Sequence, residues 1–149
     1  MKSKFYLWSL VTVTFFLISS TLAWGKLTAT HSAPSSYEPG TDITVSNTIE
    51  YTEPLTAIGI TANIPEGWTF VGVGGIDAPL SKLKKGDKGP LEFYWIDIPS
   101  SPINFTYTIH VPDNQSGVKH IYGTVIYYKM GGKLIEPIKP NPLQIRREK

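Results

Sequence analysis

The stretch Ile103-Asn104-Phe105-Thr106-Tyr107-Thr108-Ile109-His110-Val111 decides the fold. Ile103, Phe105, Tyr107, Ile109 and Val111 are apolar, and the residues between them are polar. Successive side chains of a β-strand point to opposite faces, so this is a strand with one face in a core and one in water. A helix would instead place apolar residues three and four apart. Ile43 to Tyr51 repeats the pattern, with Ile43, Val45, Ile49 and Tyr51 against Thr44, Ser46, Thr48 and Glu50. Thr56 to Ile64 directs Ile58, Ile60, Ala62 and Ile64 inward, and Leu91, Phe93 and Trp95 alternate in the same way.

Outward from these runs lie turn signals: Glu38-Pro39-Gly40, Pro65-Glu66-Gly67, Gly74-Gly75, Gly86 to Gly89, Pro112 to Gly117 and Gly131-Gly132. Such Gly, Pro, Asp and Asn clusters end strands and reverse the chain. Residues 112–117 are expected to join strand 103–111 to strand 118–129 as a hairpin. Gly131-Gly132 should fold Tyr127-Tyr128 back on Leu134-Ile135. Short strands near Leu27 to Thr30 and Leu143 to Arg146 complete about eight. The spacing predicts an all-β, two-sheet antiparallel sandwich in one domain, residues 26–149.

The N-terminus reads differently. Lys2 and Lys4 precede a mostly apolar run, Phe5 to Ile18, and Ser19 to Gly25 brings small residues. Charge, apolar core and small residues in that order predict a signal peptide over residues 1–25, cut after Gly25 or Ala23. The alternative is an uncleaved membrane anchor, since Phe5 to Trp24 is about the length that crosses a bilayer. Ser9, Thr12, Thr14 and Ser19 to Thr21 dilute that run. The expected location is secreted, periplasmic or at the cell surface, with membrane attachment only if the segment is kept.

The chain carries 14 basic and 12 acidic residues, and removal of Lys2 and Lys4 leaves a neutral domain. A neutral domain lacks the field that gathers phosphates, which argues against nucleic-acid binding. The absence of cysteine excludes disulfides, thiolate metal sites and cysteine nucleophiles. Stability must come from packing alone.

The segment Ser46 to Val73, with Ile64-Pro65-Glu66-Gly67-Trp68-Thr69-Phe70 at its centre, resembles the immunoglobulin-like modules of bacterial secreted and cell-surface proteins. The later run from Phe93 to Gly117 resembles the second half of such modules. The resemblance covers roughly residues 40 to 145 and implies an immunoglobulin-like β-sandwich. It carries no activity, because such folds host many functions. The Pro65-Glu66-Gly67 turn delivers Trp68 and Phe70 onto one face of the next strand, and Gly72 continues that face without a side chain and leaves room for the indole. Trp68 is therefore expected to plug one end of the core, as the corresponding aromatic does in the modules that the chain resembles.

No constellation of residues points to catalysis, a metal or a cofactor. His110 and His120 would approach across the expected hairpin, but a metal site needs three or four ligands. Asp77, Asp87, Asp97 and Asp113 sit in or beside turns, where aspartate bonds its own backbone. Lys82, Lys84, Lys85 and Lys88 concentrate charge in one loop. It reads either as a docking loop for an anionic surface or, as such runs more often are, as a solvated loop that shields a sheet edge. Exposed aromatics are the better lead. Tyr122 and Tyr128 lie opposite in phase to Ile121, Val125 and Tyr127, and are expected outside, beside His110 and Thr108. Tyr94 lies opposite in phase to Phe93 and Trp95. The candidate ligand-binding residues are therefore Tyr94, His110, His120, Tyr122 and Tyr128. The sequence points to a non-catalytic binding or structural module that meets an envelope or extracellular protein. The alternative is a carbohydrate-binding module that stacks sugars on the sheet tyrosines.

Overall fold

The computed structural model describes residues 26–149. The expected signal peptide lies outside the described residues. Those residues form nine strands and no α-helix. They are β1 (Thr28–Ser32), β2 (Ser36–Tyr37), β3 (Asp42–Glu50), β4 (Ala57–Asn63), β5 (Thr69–Gly74), β6 (Leu91–Tyr94), β7 (Ile103–His110), β8 (Val118–Lys129) and β9 (Gly132–Arg147).

The strands make two layers. The first sheet runs β5-β7-β3-β1, and the second runs β6-β4-β8-β9 with β2 added alongside β9. The layers are joined at a seam, where β9 touches β1 through the parallel pair Thr30 and Lys139. Alternation does what the sequence predicts: Val45, Ile49, Ile103, Phe105 and Ile109 of the first sheet face Ile60, Leu91, Phe93, Ile121 and Val125 of the second. Phe93 sits at the centre, its ring 5.3 Å from that of Tyr107, 6.0 Å from Phe105 and 6.1 Å from Phe70. Each fully buried side chain of this size contributes about 1.5–3 kcal/mol.

Four expectations need correction. Residues 112–117 do not close a hairpin. They cross between layers, because β7 pairs with β3 and β5 while β8 pairs with β4 and β9. The sandwich is also not wholly antiparallel, since β1 and β2 both run parallel to β9. The last strand is far longer than Leu143 to Arg146, because it begins at Gly132. Finally, Gly72 does not make room for Trp68. A Cβ built there meets nothing within 4 Å, and the β5–β7 register shifts between Phe70 and Gly72.

Trp68 nonetheless plugs one end of the core. It is fully buried and edge-on to Tyr37 at 5.3 Å, and its Nε1 donates to Gln115 Oε1 in the crossing loop at 3.1 Å. The hairpin at Gly131-Gly132 forms as expected, with Tyr127 opposite Leu134 and Tyr128 opposite Lys133. Both glycines adopt positive φ, 111° and 129°, which side chains disfavour.

A strap, residues 75–90, runs from the outer edge of one sheet to the outer edge of the other. Phe70 N bonds Asp87 O and Gly86 N bonds Phe70 O along the start of β5. Leu80 exchanges backbone bonds with Tyr94 along β6. The lysine loop thus shields an edge, as its composition suggests.

Candidate functional site

The two outer faces differ in chemistry. On the first sheet, Thr44, Ser46 and Thr48 of β3 lie opposite Thr108, Thr106 and Asn104 of β7. Thr44 and Thr108 hydroxyls are 3.0 Å apart, and the Thr48 hydroxyl donates to Asn104 Oδ1 at 2.9 Å. This polar face satisfies much of its own hydrogen bonding.

The outer face of the second sheet is apolar and aromatic at its hairpin end, and more polar beyond it, where Glu92, Thr61 and Thr124 form a row. Register sets Tyr94, Gly59, Ile126 and Ile135 in one row across β6, β4, β8 and β9. Ala57, Tyr128 and Lys133 form the next row. A groove of about 310 Å³ lies over Gly59, lined by Tyr94, Ile126, Tyr128 and Glu92. It exists because position 59 has no side chain. A Cβ there would come within 3.2 Å of the Phe93 carbonyl oxygen and stand in the groove floor. Tyr94 and Tyr128 are 38% and 41% exposed, and Ile135 is 58% exposed. A second hollow, lined by Lys82, Leu83, Pro90, Glu92 and Tyr94, opens on the other side of Tyr94. The backbone bonds from Leu80 fix the strand that presents this tyrosine.

The structure thus brings together two of the five candidate residues, Tyr94 and Tyr128. Tyr122, opposite Asn63, and His120, opposite Gln144, lie further along the same sheet, their rings 6.4 Å apart. His110 belongs to the other sheet, between Asp42 and Thr69. Its Nδ1 is 2.6 Å from Asp42 Oδ1, an exposed pair. The expected approach of His110 to His120, and of Tyr122 and Tyr128 to His110 and Thr108, is therefore corrected: it assumed the hairpin that the crossing loop replaces. Among the described residues no group of three or more His, Cys, Asp or Glu side chains is placed to hold a metal. Sequence reasoning missed Gly59, Ile126 and Ile135. Gly59 carried a usable signal, because a glycine inside an otherwise regular strand marks a close approach or an open space.

Three polar side chains sit in the core. His31 is buried opposite Asn47, and its Nε2 lies 2.7 Å from the Pro140 carbonyl oxygen. Burial lowers its pKa, and the bond to Pro140 opposes that shift. Tyr107 is buried against Phe93, and loss of hydration raises its phenol above the ordinary value.

No protein-family model matches the sequence, and no curated protein is similar to it. Solved structures do share its fold. A non-cellulosomal cohesin from the hyperthermophilic archaeon Archaeoglobus fulgidus superposes with a TM-score of 0.52 at 17% identity, over 82% of this chain and 92% of the cohesin. A protein of Corynebacterium diphtheriae described as membrane anchored gives 0.51 at 16% identity, over 86% of this chain. This chain spans 37% of that protein's length. At such identities the likeness is one of fold, and the fold is a β-sandwich.

Proposed function

We propose that residues 26–149 form a non-catalytic binding module of an exported or surface-held protein, docking a protein partner on the outer face of the second sheet. The observation that carries this reading is the Tyr94–Gly59–Ile126–Ile135 row with Tyr128 beside it. Aromatic and aliphatic side chains flank a groove, and such patches, rimmed by polar residues, mark interaction surfaces. The fold is shared with a cohesin, a module of protein–protein interaction. The signal-like N-terminus supports export.

The sugar-stacking alternative draws less support from the geometry. Tyr122 and Tyr128 lie about 20 Å apart along β8, with Thr124 and Ile126 between them. They do not form one continuous platform, whereas mixed aliphatic and aromatic surface suits a protein.

Capture from an envelope extract tests the reading. Wild type and His110→Ala should retain one protein in fixed ratio, and Tyr94→Ser/Tyr128→Ser should lose it. A glycan array gives the opposing result: reproducible sugar binding abolished by Tyr122→Ala and Tyr128→Ala would replace the protein reading with the carbohydrate one. Equal capture by wild type and the double variant would remove the face from consideration.

A further inference from the structure

The strand registers gather four loops and the entry of the chain at one end of the sandwich, where β5 also ends, with Gly74 opposite Thr106 of β7. In the first sheet, β1 begins at Thr28 opposite Glu50, where β3 ends, and β7 begins beside it with Ile103 opposite Ile49. In the second sheet, β4 begins at Ala57 opposite Tyr128, β6 ends at Tyr94 opposite Gly59, and β9 turns back at Gly132. The loops that follow β3, β5, β6 and β8 therefore emerge together, and the chain enters the domain beside them at Lys26.

These loops are knitted into one surface. Trp95 Nε1 donates to the Asp77 carbonyl oxygen at 2.9 Å, and Asn104 N donates to Asp77 Oδ2 at 2.8 Å. Tyr51 bonds Pro99 and Ser101, and Lys129 Nζ lies 2.7 Å from Glu53 Oε2. From this fixed base project the three most exposed large apolar side chains of the described residues. They are Met130 at 96%, Ile76 at 89% and Ile96 at 77% exposure, each on a different loop. Leu134 and Ile135, at the root of the β8–β9 hairpin, are also exposed, so the hairpin reaches beyond the core. Lys26, the first described residue, lies at this same end, and the sequence before it includes the mostly apolar run Phe5 to Ile18.

We infer that, in the chain that keeps residues 1–25, the domain stands end-on against a lipid surface, with Ile76, Ile96 and Met130 dipping into the boundary between headgroups and acyl chains. Apolar tips on a rigid base lose exposed surface there without any rearrangement. Charge gives no pull toward anionic lipid, because Lys26 pairs with Glu136 and Lys129 with Glu53. Lys133 beside the hairpin turn is outnumbered by Asp77 and Asp97 next to the apolar tips. Contact should therefore form on zwitterionic and anionic lipid alike.

The chain has no cysteine, so single-cysteine variants take one label each. The full-length protein is reconstituted into phosphatidylcholine vesicles and into phosphatidylethanolamine–phosphatidylglycerol vesicles. An environment-sensitive dye is placed at Ile76→Cys, Ile96→Cys or Met130→Cys, with Asn114→Cys at the opposite end as reference. The three tip labels should shift to shorter wavelength and be quenched by spin-labelled lipid in both vesicle types, and the Asn114→Cys label should do neither. Tip labels that read like the Asn114→Cys label overturn the inference, as does contact confined to anionic vesicles. As a second measurement, Ile76→Glu/Ile96→Glu/Met130→Glu should keep the wild-type melt yet reduce energy transfer from the Asn114→Cys label to a membrane dye. Unchanged transfer would show that these side chains do not hold the domain down.

Discussion

Trp68 and Tyr128 are both large aromatics near strand ends, Trp68 just before β5 and Tyr128 near the end of β8 at the opposite end of the sandwich. Their surroundings predict opposite consequences of truncation. The Trp68 indole is fully buried, edge-on to Tyr37 and bonded to Gln115. Trp68→Ala should cost about 3–5 kcal/mol, a large share of a domain's stability. Tyr128→Ala, at a half-exposed ring, should leave the melt nearly unchanged. Thermal unfolding of both variants checks the pair, and a wild-type melt for Trp68→Ala would show that the indole is not the end plug. His31 carries a different signature. Its folded pKa lies below the ordinary 6.5, so the unfolded chain takes up a proton first as the pH falls. The stability that neutral His31 provides is complete above about pH 6.5, and it declines as the pH drops toward the lowered folded value. Denaturant melts across that range should show this decline in wild type and a flatter profile in His31→Gln.

The β8–β9 hairpin shows how tightly two strands are fitted to one another. Gly123 faces Ile138 across the ladder, and a Cβ on it would stand 2.8 Å from Ile138 Cδ1 and 2.9 Å from Ile138 Cβ. Gly123→Ala should therefore destabilise by about 1–3 kcal/mol through overpacking. Gly72→Ala, in the open register shift of β5, should leave stability unchanged or raise it by up to about 1 kcal/mol. Urea titration of the two variants tests both signs. The hairpin also marks where sequence reading succeeded and where it stopped. Alternation over Val118 to Lys129 and the Gly131-Gly132 turn are local signals, and both were legible. The rest of β9 was not, because Pro137, Pro140 and Pro142 each lack the N–H that a ladder needs and so argue against a strand. The structure accommodates Pro140 and Pro142 by letting residues 139–142 leave β8, whose pairing jumps from Ile121–Leu143 to Gly123–Ile138. Nothing local could announce that detour, since its reason is the contact of Lys139 and Pro140 with β1.

At the scale of the molecule, β9 is the seam, paired with β8 and β2 in one layer and touching β1 of the other. Truncation after Glu136 removes Ile138, Leu143 and Ile145 from the core together with the link between layers. The remaining chain should show no cooperative unfolding by circular dichroism, whereas removal of Lys149 alone should be tolerated. The sequence showed which face of each strand is buried, because that is a property of neighbours along the chain. It did not show which strands are partners, because that is settled by contacts far apart in sequence. Hence Tyr94, Tyr122 and Tyr128 were placed outside correctly, while His110 was placed beside the wrong sheet. The strap of residues 75–90 adds a last consequence. It bonds along β5 and along β6, so one segment stands guard over both open borders of the sandwich. Those borders therefore share a single fate. Displacing the strap would open two templates for strand exchange at once, and keeping it seated lets copies of this domain crowd together as separate bodies.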